Sequence, residues 1–374
     1  MTSAMAAPVV EALRVKGWRS YASAEIALGP GLTVVHGPNG AGKTNLLEAL
    51  YFGLTGRSCR TGNEREVVAF EATAARIEVV TRDRDGEHEL AVGFQPGEAK
   101  RFRVDGAPVE RLADTAARPL VSVFLPDRLE LVKGPPALRR SHLDQVVAAL
   151  WPARVATRRS YSQALAQRNA LLSRVRRGMA SRDSLRAWDA ELARHGIALR
   201  ADRTAAVERL VAPFAAAAAE LGLAGEARLE ERPKARAGSA EELAEELAAG
   251  VDSDLERGFT GRGPHRDDLA LLRDDRELRA YGSQGEQRLA LLALLLAERE
   301  ALAEARGGAP LLLLDDVMSE LDAARREKLV ERITAGGQAF VTTTDLGHVP
   351  GATAPGVTRI AVRDGTVLQE AAAA

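Results

Sequence analysis

Gly37-Pro38-Asn39-Gly40-Ala41-Gly42-Lys43-Thr44 has the glycine spacing and the Lys-Thr ending of a phosphate-binding loop, and it sits where such a loop must sit. Upstream, Leu32-Thr33-Val34-Val35-His36 has the apolar character of a buried strand. Downstream, Asn45 to Tyr51 has the character of a helix. Three glycines let successive amide N–H groups turn inward toward phosphate oxygens, and the helix N-terminus adds partial positive charge. Lys43 would then reach the β- and γ-phosphates, and the Thr44 hydroxyl would ligate Mg²⁺. All eight residues of the loop are therefore candidate nucleotide contacts, with Lys43 also a catalytic candidate.

Such a loop does not distinguish ATP machines from GTPases, and the second half of the site lies far along the chain. Pro310 opens the run Leu311-Leu312-Leu313-Leu314-Asp315-Asp316, which reads as a central parallel strand delivering two acids at its C-terminal end. Asp315 is the candidate Mg²⁺ residue, acting through the ion's water shell, and Asp316 the candidate that polarises attacking water. Before it, Tyr281-Gly282-Ser283-Gln284-Gly285-Glu286-Gln287-Arg288 precedes a helix apolar on nearly all sides. Ser283 with Glu286 makes a capping-box pattern, so Ser283 reads either as a plain helix cap or as the serine of a nucleotide-contacting signature.

The order of phosphate loop, Ser-x-Gly-x-Gln helix start and acidic strand resembles ATP-binding-cassette ATPases. Leu13 to Tyr21, Gly37 to Leu50, Gly263-Pro264-His265-Arg266-Asp267-Asp268-Leu269, Tyr281 to Arg288 and Asp315 to Asp322 together resemble the RecF family of DNA replication and repair proteins. These segments span nearly the whole chain. The resemblance implies an α/β P-loop head of cassette type, related to Rad50 and chromosome-maintenance heads, carrying an inserted helical arm. It implies a cytosolic ATPase that dimerises on ATP, binds DNA and helps load recombinase at gaps with RecR and RecO. It also implies that Ser283, Gly285, Gln287 and Asp322 contact nucleotide, with Ser283 catalytic and its γ-phosphate held by the other protomer.

Composition sets limits on this reading. The 374 residues, 46% hydrophobic, suffice for two domains. A single cysteine, Cys59, excludes an internal disulfide and reads as a small apolar filler in a reducing compartment. No run reaches the length of a membrane span, and Met1 to Val10 lack a signal peptide's basic flank and apolar core. The net charge of −1 hides segregation: Arg139 to Arg186 holds eleven arginines against Asp144 and Asp183, while Glu241 to Glu256 holds seven acids and no base. The basic stretch reads as a phosphate-backbone surface or as a solvated face. Candidate DNA contacts are Arg139, Arg140, Arg158, Arg159, Arg176 and Arg177. With aromatics at 4%, stacking platforms for single strands are few, so duplex recognition is expected.

Gly134-Pro135-Pro136 breaks the chain before an Ala-, Leu- and Arg-rich region with helical spacing at Leu143, Val146, Val147 and Leu150. The expected division is a discontinuous ATPase domain, 1–130 with 260–374, and an arm, 131–259. Three departures from cassette ATPases point to slow hydrolysis. Thr342-Thr343-Thr344-Asp345 replaces a switch histidine, leaving Thr344 as a γ-phosphate sensor or a structural strand end. Phe124 to Asp127 holds no glutamine for Mg²⁺, and Asp316 is one methylene shorter than the usual glutamate. A membrane-transporter ATPase subunit and a DNA clamp without turnover are the alternatives. His265 and Arg266 read as a satisfied turn or as a DNA or interface contact.

Overall fold

The computed structural model describes residues 7–369; residues 1–6, on which part of the signal-peptide reading rests, lie outside them. The chain forms two compact units, one of residues 1–128 with 302–374 and one of residues 129–301. In chain order, the first unit begins with β1 (Val9–Trp18), β2 (Tyr21–Ala27), β3 (Leu32–His36), α1 (Lys43–Thr55), β4 (Ala75–Asp83), β5 (Gly86–Phe94), β6 (Arg101–Val104), β7 (Ala107–Val109) and β8 (Val121–Phe124). The second contains α2 (Glu130–Lys133), α3 (Pro136–Leu150), α4 (Val155–Arg176), α5 (Leu185–Glu220), β9 (Ala227–Arg232), α6 (Ala240–Ala249), α7 (Val251–Arg257), β10 (Asp268–Arg273), β11 (Arg276–Glu277), α8 (Leu278–Tyr281) and α9 (Gln284–Arg306) up to residue 301, the last turn of α9 counting with the first unit. The first unit resumes with β12 (Leu311–Asp315), α10 (Ala323–Ala335), β13 (Ala339–Thr343), β14 (Thr358–Arg363) and β15 (Thr366–Gln369).

Two six-stranded sheets build the first unit. One is antiparallel in the order β2-β1-β4-β5-β6-β7; the other runs β15-β14-β3-β13-β12-β8 and is parallel except for β15. Every residue of β12 and β13 is buried, which is why neither strand alternates apolar with polar residues; β12 is four leucines before Asp315, and β13 is Ala339-Phe340-Val341 before two threonines. α1 lies close against β4: a Cβ on Gly53 would stand 2.5 Å from Val79 Cγ2. The helix ends at Gly56 in the left-handed region (φ 70°), whose N–H closes on Phe52 O at 2.7 Å. The layout positions the site: β13 lies between β3, which feeds the phosphate loop, and β12, which ends in the acid pair.

The inserted unit is not purely helical, because β9, β10 and β11 form an antiparallel sheet. That sheet also moves the boundary. β10 pairs with β9 from Asp268↔Arg232 to Arg273↔Ala227, so residues 260–301 cluster with the arm rather than with the ATPase domain expected to begin at 260. α3 buries Leu143, Val146, Val147 and Leu150, the residues whose spacing announced it. Gly178 (φ 72°) follows the end of α4, and Pro213 lies inside α5. The core includes Arg168, fully buried, whose guanidinium donates to Asp189 Oδ1 (2.6 Å), Asp254 Oδ2 (2.7 Å) and Thr260 Oγ1 (2.8 Å).

Candidate nucleotide site

The phosphate loop takes the form its glycines require. Gly37, Gly40 and Gly42 have φ of 154°, 79° and 116°, and a Cβ on Gly37 would lie 2.1 Å from the Val362 carbonyl oxygen. The Tyr21 hydroxyl pins the loop by donating to Gly42 O at 3.0 Å. Lys43 lies over the loop, its Nζ donating to the carbonyls of Gly37 (2.7 Å) and Pro38 (2.9 Å). Burial lowers the lysine's pKa, and the Asp316 and Asp315 charges oppose that shift.

The two halves of the site meet. Thr44 Oγ1 lies 2.9 and 3.0 Å from the two carboxylate oxygens of Asp315. Thr342, in register with Asp315 on the adjacent strand, donates to Asp315 Oδ1 at 2.7 Å and accepts the Asp316 N–H at 3.0 Å. Burial raises the Asp315 pKa, and the adjoining Asp316 charge adds to it against the two hydroxyl hydrogen bonds. Asp316 has a left-handed backbone (φ 47°), and its buried Oδ1 has no hydrogen-bond partner. A cavity of about 300 Å³ opens between Lys43, Thr44, Asp315 and Asp316.

Two residues of this cavity escape the sequence reading. Thr342, not Thr344, is the member of the Thr-Thr-Thr-Asp run whose hydroxyl touches the acids; the β12–β13 register selects it, and only the fold sets that register. Arg60 also lines the cavity, its Nη1 donating to Asn45 Oδ1 at 3.0 Å and lying 3.4 Å from Glu48 Oε2. No motif marked it. Cys59 beside it is half-buried, and burial pushes its thiol up to about 12, in keeping with a filler role.

The remaining candidates divide. Ser283 caps α9 with both arms of a capping box: Glu286 N–H donates to its Oγ at 3.3 Å, and its own N–H donates to Glu286 Oε2 at 2.8 Å. Gly285 lies in the first turn of that helix. Gln287, expected to touch nucleotide, is buried instead, with Nε2 donating to Leu278 O (2.9 Å) and Gly282 O (3.1 Å), so it holds the turn before Ser283. Asp322 likewise caps α10, accepting the Arg325 N–H at 2.9 Å and facing that residue's guanidinium at 3.2 Å. No cluster of three or more His, Cys, Asp or Glu suits a metal among the described residues.

The arginines need a correction. Arg139 is buried and pairs bidentately with Asp268 (2.8 and 3.0 Å), so it presents no guanidinium to a DNA backbone. Arg140 is half-buried and donates to Asp267 O at 2.8 Å. Arg158, Arg159, Arg176 and Arg177 are exposed, with Arg158 also 3.0 Å from Asp144 Oδ2. His265 is a satisfied turn residue: Nε2–H donates to Thr260 O (2.9 Å), which leaves Nδ1 to accept the Tyr161 hydroxyl (2.6 Å), and burial lowers its pKa. Arg266 stacks over Phe259, 5.1 Å from the ring centroid.

Residues 9–366 match the model of the RecF/RecN/SMC N terminal domain. The chain is 40% identical over 366 residues to the DNA replication and repair protein RecF of Anaeromyxobacter sp. (strain Fw109-5), covering 95% of this chain and 97% of that one. It is 35% identical over 346 residues to the RecF of Moorella thermoacetica, covering 92% of each. In structure it resembles the recombination mediator protein RecF of the RecFOR pathway, solved as RecF-ATPrS, with a TM-score of 0.86 and 27% identity over 98% of this chain and 100% of that one. An Smc head domain from Pyrococcus furiosus shares the fold, with a TM-score of 0.58 at 19% identity over 97% and 96% of the two chains. No helix among the described residues is long and apolar enough to cross a membrane. From residue 9 to residue 366, across both the phosphate loop and the acid pair, the chain belongs to the RecF family of DNA replication and repair proteins.

Proposed function

We propose that this RecF-family protein is a slow, DNA-linked ATPase that dimerises on ATP, clamps duplex DNA at single-strand gaps and opens on hydrolysis. The observation that carries this reading is the unpartnered, buried Oδ1 of Asp316 beside the Thr44–Asp315 pair and Lys43. Hard oxygen donors on Thr44 and Asp315 fit Mg²⁺, which takes few protein ligands and completes its shell with water and phosphate. The ion would supply neutralisation of phosphate charge. Lys43 would exchange its two loop carbonyls for β- and γ-phosphate oxygens, and loop N–H groups would hold the chain of phosphates. Asp316 would accept a hydrogen bond from the attacking water and take its proton as the new P–O bond forms and the bond to ADP breaks. Its short side chain makes that contact less close than a glutamate's, which favours a timer over a pump.

Ser283, at the N-terminus of α9, is the proposed γ-phosphate contact for the opposing protomer, with Gly285 beside it. An isologous interface would bury two ATP molecules between two copies. The solved relative's RecFOR context supports RecR and RecO as partners in loading recombinase. The relatives leave the transporter alternative without support. Sedimentation under saturating ATP and Mg²⁺, paired with single-turnover hydrolysis with and without duplex DNA, tests the proposal. Dimers and DNA-responsive turnover are expected. Monomers that hydrolyse ATP normally would sink the shared site, and dimers without turnover would leave a non-hydrolysing clamp.

A further inference from the structure

The inserted unit encloses a separate cavity of about 70 Å³, several times the roughly 10–15 Å³ that accommodates one water. It opens where α3, α5 and β9 meet the start of β10, and Arg140, Arg200 and Arg203 line it together with Glu231 and Asp267. Arg200 carries the inference. Its Nη1 donates to Ala237 O at 2.7 Å, yet Nε and Nη2 are both buried and have no hydrogen-bond partner; the nearest carboxylate oxygen, Asp267 Oδ2, is 3.5 Å from Nε. A buried guanidinium edge with two idle donors calls for an acceptor.

The neighbouring acids are already engaged. Asp268 is held bidentately by Arg139, and Asp267 accepts the Lys234 N–H at 2.8 Å. Burial shifts the Glu231 carboxyl upward, toward its neutral form. Arg232, also at the wall, is matched by Glu277 and Glu230. Arg203 is matched by Asp144 at 2.8 Å. Arg140 makes no carboxylate ion pair: its Nη1 donates to the Asp267 carbonyl, and burial with the Arg203 and Arg266 charges lowers its pKa against the more distant pull of the Asp268 and Asp267 carboxylates. Two cationic forks with free N–H groups therefore face a space larger than a water, and a planar guanidinium fork suits an oxyanion.

We propose that this cavity binds a tetrahedral oxyanion, a phosphoryl group, between Arg140 and Arg200. The group would come from free phosphate or from a nucleic-acid backbone, and the site does not depend on the ATPase reading. β10 continues through β11 and α8 to Ser283, so an occupant would brace the sheet that leads to the signature helix.

The test uses the full chain carrying Lys43→Ala, with and without Arg200→Gln, so that any phosphate held by the nucleotide loop is common to both. Inorganic phosphate is titrated against chloride at fixed ionic strength and thermal unfolding is followed. A saturable rise in Tm is expected, with the apparent affinity about tenfold to a hundredfold weaker in Arg200→Gln. Equal phosphate response in the two proteins would overturn the site. Should Arg200→Gln not fold, Arg140→Gln replaces it. Tungstate soaked into crystals gives a direct reading: density between the two arginines supports the site, and ordered water there refutes it. Duplex DNA that displaces phosphate, and that binds Arg200→Gln more weakly, identifies a backbone phosphate; DNA binding indifferent to Arg200 assigns the site to the free anion.

Discussion

Asp315 and Asp316 place two carboxylates on successive residues beside a buried lysine, and their charges resist one another. Asp315's pKa lies above its usual value, so its protonated form is favoured by folding; that contribution is present at acid pH and lost as pH rises through the raised value. Asp316→Asn removes one of the charges that raise the Asp315 pKa, so the Asp315 titration, followed by NMR in the ligand-free protein, should move down toward the usual aspartate value. The same variant should bind ATP but stall hydrolysis, whereas Lys43→Ala should lose tight ATP binding, because in the proposed mechanism Lys43 would touch phosphate in the ground state and Asp316 would act only when water attacks. Equal loss of binding in both would remove the division of roles. The loop, the acid pair and the cap were legible because each is a local pattern with a local cause. Thr342 and Arg60 were not, since a strand register and a loop path bring them to the cavity.

At the scale of the element, Ser283 has one observed duty, the helix cap, and one proposed, the phosphate contact, and the two are separable. As an N-cap it satisfies an N–H of α9, and aspartate does this as well as serine. As a phosphate contact it cannot be replaced by an anion. Ser283→Asp should thus leave unfolding stability within about 0.5 kcal/mol of wild type while abolishing ATP-dependent dimerisation in sedimentation. Dimerisation at wild-type ATP levels would reduce Ser283 to a cap. The arm shows how an element misleads when read by charge alone. Arg168 sits in the basic stretch but is the buried hub for Asp189 and Asp254, so Arg168→Ala should destabilise the protein by about 3–5 kcal/mol, because two acids are left buried without their cation. Sequence shows that arginines outnumber acids in that stretch; acids from α5 and α7, distant in sequence, decide which of them face inward.

For the whole molecule, the proposed DNA contacts narrow to Arg158, Arg159, Arg176 and Arg177, the exposed members of the expected set. Arg158→Glu with Arg159→Glu, or Arg176→Glu with Arg177→Glu, should weaken duplex binding and lower its salt slope by about one unit per lost phosphate contact, with ATP binding unchanged. Unaltered slopes in both pairs would place the DNA surface elsewhere. Arg139→Glu, by contrast, should unfold the arm through its lost pair with Asp268 rather than report on DNA. A mixture of Lys43→Ala and Ser283→Arg subunits, assayed at high concentration, should regain part of the hydrolysis that each alone lacks, since one of its two shared sites is intact.

The division of the chain also sets a timetable for its birth. Val10 N donates to Gln338 Oε1 although 328 positions separate them, and Gln338 Nε2 donates back to Val10 O and to Gly29 O. β1 finds its strand partners β2 and β4 early, but at ribosomal speeds of about 5–20 residues per second these hydrogen bonds wait roughly 16–66 s for Gln338 to be synthesised. Residues 129–301 are contiguous and need no such wait. In a nascent chain stalled before β12, the strand that feeds the phosphate loop therefore lacks both its neighbours, because β3 pairs only with β13 and β14.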